Sequence, residues 1–432
     1  MPPRKHLRPF TQAAAPPPKE EDAPVRILPT DLLLEIIART DAETIVRCAA
    51  TSKPLRRDIL RPDFIRRVCH EHEGVVPAFL LGFVHAYDKA NAVARPPAPF
   101  SLVHPETPAA ASFSKKHILR PLSRSTGADL LRRYEPLTSR HGLIALSRQH
   151  IRHDWRTDIC VYDPFTGVRK FFSGPPDINY YSTLYVLLTA ADGVGCSFLL
   201  LAMDYINVHM PYCIKIQTVS SGTTEWEAAM TLATHPPLSA SSFLKPCCDA
   251  VVLGTSIHCL MYGERCSMIL TYKLGTTTVR SIKLPTDRLP KGFQKFNLHL
   301  ASSPDGRLRL LVSDRLKVSV WLLLPTGDGW ERQCTLDMEA IVSSLVPDLA
   351  QHLLSPDRMI EFVGSGVKSG AILLRPSTMR RMEDSEEDRF VLLDLETMEM
   401  RRVIIKKNHW NSSPFPYEVD LASRLAAMKI FS

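Results

Sequence analysis

The sequence predicts an α+β chain of several domains, in which a small three-helix unit precedes a large all-β domain of propeller-like architecture. Apolar residues recur at helical spacing between residues 27 and 69. From about residue 74 onward, short β-type runs alternate with turns rich in Gly and Pro. The predicted divisions are a disordered tail at 1–24, the helical unit at 25–72 and the β domain at 74–430. With 432 residues, 45% of them apolar, the chain is long enough to bury a sizeable core.

Three short helices are predicted in the N-terminal unit. The first has Thr30 as a candidate cap and Asp31 as a favourable charge in its first turn. A capping-box pattern at Thr40–Glu43 predicts the start of the second. The third begins at Ser52 or Lys53, with Pro54 near its first position.

The β domain shows a loose repeat. Predicted strands end near residues 163, 219, 272, 324 and 394, which are separated by 56, 53, 52 and 70 residues. A unit of about fifty residues with several strands matches one propeller blade in size. The longer last interval is attributed to an insertion at 380–388. Because the familiar Gly-Gly and Trp-Asp blade signatures are absent, a split β-sandwich or a less regular barrel stays open.

Composition and residue spacing argue against several classes of function. The formal net charge is only +8, and the basic residues are not clustered as a nucleic-acid-binding face requires. No apolar run approaches the roughly 18 residues of a membrane helix, and no secretory signal is evident. The ten cysteines lack Cys-x-x-Cys spacing, which favours buried thiols in a reducing compartment. We therefore expect neither nucleic acid nor membrane as a partner.

No catalytic, cofactor or metal site is predicted. The nucleophile-elbow, zincin, dinucleotide-binding and P-loop motifs are all missing. The Cys69–Glu73 segment carries metal-capable side chains, but no third ligand is apparent. The acidic run at 382–388 is interpreted as a solvated loop. Most of the five tryptophans are expected in the core.

The segment from Leu28 to Ile37 resembles the opening of an F-box, with Leu-Pro, an acidic residue and then a run of leucines. Residues 44–53 are similar to the second half of that motif. The usual ending contains a Trp, which this chain replaces with Pro54-Leu55-Arg56-Arg57.

The remainder resembles the F-box-associated β domains of plant, grass-type F-box proteins. Val161–Gly167, then Phe171-Phe172 and Pro175-Pro176, is similar to a recurrent element of those domains. Leu131–Tyr134 ahead of Ser139–Leu143 also resembles this branch.

The resemblance implies a substrate-recognition subunit of an SCF-type ubiquitin ligase, which is not itself an enzyme. The F-box would bind a Skp-family adaptor, and through it cullin and RING subunits, while the β domain binds an unknown substrate protein. The location implied is the nucleus, the cytoplasm or both. The residues expected to contact the adaptor are Leu28, Pro29, Leu32, Leu33, Ile36, Ile37, Ile45, Val46 and Leu55.

Two alternatives stay open. The missing Trp motivates a non-catalytic, propeller-like interaction scaffold whose F-box is degenerate. An enzyme built on a propeller would need converging polar residues, and the sequence shows no such group.

Overall fold

A computed structural model of the chain places more than half of the residues that it describes in β-strands. It describes residues 28–40, 42–61, 63–64, 68, 80–84, 100–102, 134–149, 157–164, 167–178, 183–206, 213–235, 245–246, 250–262, 267–289, 297–327, 329–345, 358–367, 369–378, 387–406 and 414–419. The predicted tail at 1–24 and the Cys69–Glu73 segment lie outside these residues.

Three helices occupy the N-terminal part: α1 (Thr30–Ala38), α2 (Ala42–Thr51) and α3 (Lys53–Ile59). Ser52 is the N-cap of α3, where its hydroxyl accepts a hydrogen bond from the Leu55 N–H at 3.2 Å. The predicted cap at Thr30 is wrong by one residue. Pro29 takes that position because its carbonyl accepts the first helical hydrogen bond, from the Leu33 N–H at 3.1 Å.

The helices share a small core of their own. Its buried residues all lie between positions 37 and 68, and Ile45 and Ile59 are completely inaccessible to solvent. Leu33, Leu34, Cys48 and Leu55 pack against its edge. These helices and the residues of this core are called the helical unit below.

The β-strands of the described residues form five hydrogen-bonded sheets. The largest has nine strands and consists of two antiparallel meanders joined edge to edge, which are described below as separate sheets, the third and the fourth. The closing sheet contains β1 (Leu80–Val84), β2 (Phe100–Leu102) and β24 (Phe415–Glu418). The second contains β3 (Glu135–Arg140), β4 (Leu143–Gln149), β5 (Thr157–Tyr162) and β6 (Arg169–Ser173). The third contains β7 (Thr183–Thr189), β8 (Phe198–Ile206), β9 (Cys213–Ser220) and β10 (Met230–His235).

The other three sheets follow in chain order. The fourth contains β11 (Lys245–Pro246), β12 (Val251–Leu253), β13 (Ser256–Tyr262), β14 (Ser267–Lys273) and β15 (Thr278–Lys283). The fifth contains β16 (Leu298–Ser302), β17 (Leu308–Asp314), β18 (Lys317–Leu323) and β19 (Trp330–Asp337). The sixth contains β20 (Arg358–Ser365), β21 (Ala371–Thr378), β22 (Glu387–Asp394) and β23 (Met400–Lys406).

The predicted repeat is confirmed by this topology. The strands that end near 163, 219, 272, 324 and 394 are β5, β9, β14, β18 and β22. Each occupies the same place, the next-to-last strand of its sheet in chain order. One departure from independent blades is a parallel pairing of β10 with β15, which joins the third and fourth sheets at their outer strands.

Neighbouring sheets pack face to face in a cyclic order. One apolar cluster joins the second sheet to the third, and others join the third to the fourth, the fourth to the fifth and the fifth to the sixth. Phe83 of β1 then packs against the sixth sheet. The ring closes where Tyr417 of β24 donates a hydrogen bond to the carbonyl of Gly142 in the second sheet. The β part of the chain is therefore propeller-like, and neither a sandwich nor a single barrel.

The long last interval contains an element that the sequence did not predict. Helix α4 (Glu339–Leu345) precedes β20, and Val342 packs between the fifth and sixth sheets together with Met338. Part of the extra length is therefore a helical connection ahead of the sixth sheet. Of the insertion predicted at 380–388, residues 380–386 lie outside the described residues.

Candidate protein-binding surface

Helix α1 carries a stripe of apolar side chains that face solvent. Leu28, Leu32 and Ile36 are four residues apart, so they line one side of the helix and its entry. Their side chains are 52%, 54% and 51% exposed. These three residues are called the α1 stripe.

The opposite side of α1 explains why the stripe is left outside. Ile37 and Ala38 are each 2% exposed in the core of the helical unit, and Leu33 packs at the edge of that core. A helix of nine residues presents one face inward, and this unit has too few other residues to cover the remaining face. Exposed apolar groups arranged as a stripe mark interaction sites more often than single exposed ones do.

The charges around the stripe are engaged on the helix itself. Glu35 accepts a hydrogen bond from the guanidinium of Arg39 at 2.9 Å, an exposed pair one turn apart. Asp31 lies in the first turn, where a negative charge stabilises the helix. The stripe therefore presents apolar surface bordered by a neutralised ion pair and one carboxylate.

Exposed large apolar residues in the described part of the propeller-like domain are more scattered. Met230 stands singly at the start of β10, and Leu324 and Met398 stand singly in turns of the fifth and sixth sheets. Val168 and Phe171 lie close together at the outer strand of the second sheet, where Phe171 contacts the ring of Tyr134 at 6.3 Å between centroids. Single exposed apolar residues are normal on protein surfaces and identify no site.

The structure separates the nine residues expected at the adaptor interface into two groups. The exposed group is Leu28, Pro29, Leu32 and Ile36. The residues within or against the core of the helical unit are Leu33, Ile37, Ile45, Val46 and Leu55. The second group shapes the helical unit, and the first group presents the surface that a partner would reach.

Leu55 lies in the segment 54–57, where the sequence departs from the motif that it resembles. It packs against the core of the helical unit, while the guanidinium of neighbouring Arg56 donates to the carbonyl of Ala49 at 3.0 Å. These two contacts tie α3 to α2.

A buried polar cluster joins three sheets near the start of the ring. Arg140 donates two hydrogen bonds to Asp192, at 2.8 and 2.6 Å, and one to the carbonyl of Val252 at 3.4 Å. Next to it, Nδ1 of His141 lies 2.7 Å from the hydroxyl of Thr189. Burial alone would raise the pKa of Asp192, but the hydrogen bonds and charge of Arg140 outweigh it and hold this pKa below its ordinary value.

This cluster has the features of a structural clamp. The ion pair is only 7% and 5% exposed, and it connects β3 to the 3-10 turn that follows β7. Its members are far apart in the chain and match no motif, so the sequence carries no signal for this cluster.

Other candidate chemistry is sparse. Within the described ranges, no group of three or more His, Cys, Asp or Glu residues is placed to hold a metal ion. Cys48, Cys160, Cys196 and Cys334 are free thiols, and burial raises the pKa of the Cys160 thiol to about 12. Trp321 and Trp330 are buried, as expected for core residues. Among the described residues, no helix is both long and apolar enough to cross a membrane.

Comparison with solved structures finds propeller-like relatives at low similarity. One is TolB from Acinetobacter baumannii, with 12% identity over 85% of this chain and 73% of that chain, and a TM-score of 0.42. Another is the β-propeller domain of the Trilobed protease from Pyrococcus furiosus, with 11% identity over 62% and 69% of the two chains and a TM-score of 0.32. Such values carry no functional argument, so the fold assignment rests on the sheet topology of this chain.

The sequence comparisons assign the β part of the chain to a family. No curated protein matches the chain. One family model matches residues 104–431, which include every described strand from β3 to β24 and none of the helical unit. Because this match covers most of the chain, the protein belongs to the family described as "Domain of unknown function (DUF7595)".

Proposed function

We propose that this protein is the substrate-recognition subunit of an SCF-type ubiquitin ligase. In this proposal, the helical unit is an F-box that binds a Skp-family adaptor, and the propeller-like domain binds the substrate protein. The chain forms no bonds itself. It contributes proximity, because it raises the effective concentration of substrate lysines near activated ubiquitin.

The observation that carries the proposal is the α1 stripe. It lies within the segment that resembles an F-box opening, and its residues remain about half exposed although Ile37 and Ala38 of the same helix are buried. Leu32 and Ile36 lie one turn apart on α1, and Leu28 lies four positions before Leu32 at the helix entry, so the three side chains form an apolar ridge at the surface. A unit this small is marginal alone, and a partner that covers the ridge would stabilise it.

The propeller-like domain suits the receptor role for a different reason. Its sheets bury their faces against one another, so its outer turns and strands are free to vary without loss of the core. Fold alone does not identify a ligand, and the substrate is therefore defined here only as a protein. The expected location is the nucleus, the cytoplasm or both.

Co-purification with a Skp-family adaptor and cullin tests the proposal. We expect the full chain to retain the adaptor. The variant Leu32→Ala/Ile36→Ala should retain at least about tenfold less adaptor, since a few apolar anchors dominate such interfaces. The matched control is Val168→Ala/Phe171→Ala, which removes two equally exposed apolar side chains from the propeller-like domain and leaves adaptor binding unchanged. Equal retention by both variants would overturn the assignment.

The second candidate is a non-catalytic interaction scaffold whose helical unit no longer binds an adaptor. The replacement of the expected Trp by Pro54-Leu55-Arg56-Arg57 favours it. Failure of the unmodified chain to bind any Skp-family adaptor would make it the leading reading.

A further inference from the structure

Residues 414–419, here called the C-terminal strap, lie between sheets from the two ends of the β domain. The strand β24 within the strap pairs antiparallel with β1. Tyr417 is completely buried, and its hydroxyl donates to the carbonyl of Gly142 at 3.2 Å. The hydroxyl of Ser139 donates to the carbonyl of Pro416. These contacts attach the strap to the second sheet.

The side chain of Glu418 attaches the strap to the sixth sheet. It is only 6% exposed, and its carboxylate accepts from the N–H of Val367 at 2.8 Å. Its other oxygen accepts from the N–H of Ser369 at 3.0 Å and from the Ser369 hydroxyl at 2.7 Å. All three donors belong to the turn between β20 and β21.

The backbone pairing of the strap is short and irregular. It comprises four residue pairs, with a register shift between Leu80 and Gly82 of β1. Four pairs specify the register of β24 against β1 only weakly, so contacts of the side chains must fix it. Gly366 supports this reading, because a Cβ at that position would lie 2.2 Å from the nearer Glu418 oxygen and 2.1 Å from the Ser369 hydroxyl. The turn is shaped to admit this carboxylate.

We propose that the C-terminal strap closes the ring by holding the second and sixth sheets together, and that the side chain of Glu418 sets the register of the strap. The strap also holds β1, the first described strand after the helical unit. Opening it would therefore loosen the point at which the helical unit joins the ring. This inference rests on the fold alone and stands independently of the adaptor proposal.

Hydrogen exchange on the full chain tests this proposal with Glu418→Gln. The amide has nearly the shape of the carboxylate, but both carboxylate oxygens face N–H or O–H donors, so an NH₂ group in either place meets another donor. We expect exchange in β24, β1 and the 366–371 turn to rise at least about tenfold, with β13 and β14 unchanged. Glu399→Gln, at a carboxylate 63% exposed, is the control and should change nothing in these regions.

Two outcomes would overturn the proposal. Unchanged exchange would show that Glu418 does not hold the strap. A uniform rise that includes β13 and β14 would show that the strap is not a separable element. If Glu418→Gln does not fold, Ser369→Ala applies the same test. It removes the hydroxyl that donates to Glu418 and accepts from the Ala371 N–H at 3.2 Å, and it should give a smaller rise in the same segments.

Discussion

The helical unit and the propeller-like domain bury their apolar residues in different ways. Each sheet of the propeller-like domain has neighbouring sheets to cover it, and its clusters run from one sheet into the next around the ring. The helical unit has a single small cluster of its own and leaves the α1 stripe outside. A surface that needs a partner is therefore expected on the unit that cannot complete its own burial.

The largest effect is expected where two sheets share a buried ion pair. Asp192→Ala leaves Arg140 buried without its carboxylate, and we expect a loss of about 3–5 kcal/mol in the free energy of unfolding of the propeller-like domain. Chemical denaturation monitors this loss. Arg39→Ala, which breaks the exposed pair on α1, should cost only about 0.3–0.5 kcal/mol, and similar losses in the two variants would contradict the burial argument.

The next effect concerns the core of the helical unit. Ile37→Ala should lower the stability of that unit by about 2–5 kcal/mol, because Ile37 is buried and its removal leaves a cavity. Hydrogen exchange should rise across α1 to α3 while the sheets stay protected. An equal rise of hydrogen exchange in the sheets would mean that the helical unit and the propeller-like domain do not have separate cores.

A pH effect is expected from His299 in the fifth sheet. This ring is buried and stacked on Phe362, and burial lowers the pKa of His299 to about 4. Between that value and the ordinary pKa of about 6.5, the unfolded chain binds a proton that the folded chain excludes. Stability is therefore lost as the pH falls from about 6.5 through 4, by at most about 3 kcal/mol.

The measurement for this effect is the unfolding free energy as a function of pH. His299→Leu should flatten the curve over that interval relative to the unmodified chain. His258, whose pKa burial also lowers to about 4, remains in this variant and keeps a slope of its own. An identical curve for both proteins would exclude His299 as a contributor.

A smaller effect is expected at the cap of α3. Ser52→Ala removes the hydrogen bond to the Leu55 N–H and should cost about 1 kcal/mol of helical stability. The loss of helical stability is measured by circular dichroism during thermal unfolding. Substitution of exposed Ser344, whose hydroxyl bonds only to the Ile341 carbonyl one turn earlier, is a suitable comparison with little effect.

Sequence reasoning predicted the elements that depend on local signals. Turn residues and alternation located the strands, and the turn at Asp163–Gly167 is confirmed by a hydrogen bond from the Gly167 N–H to the Asp163 carbonyl at 2.8 Å. The spacing of strand ends predicted the repeat because each sheet folds as a meander of nearly constant length.

Features that depend on closing the ring did not follow from the sequence. Arg140 and Asp192 are 52 residues apart, and Glu418 is 49 residues from Ser369. Neither pair belongs to a motif, and their contact exists only once neighbouring sheets are in place. Likewise, the F-box resemblance implied nine residues at the adaptor surface, but only the three-dimensional packing separated the exposed stripe from the core behind it.

The most direct test of the central claim is the Kd between the purified chain and a Skp-family adaptor, measured for the unmodified protein and for Leu32→Asp. The account predicts binding by the unmodified chain and a Kd at least about tenfold higher for the variant, with the same helical content by circular dichroism. An unchanged Kd, or no binding by either protein, would contradict the assignment of the α1 stripe as the adaptor-binding surface.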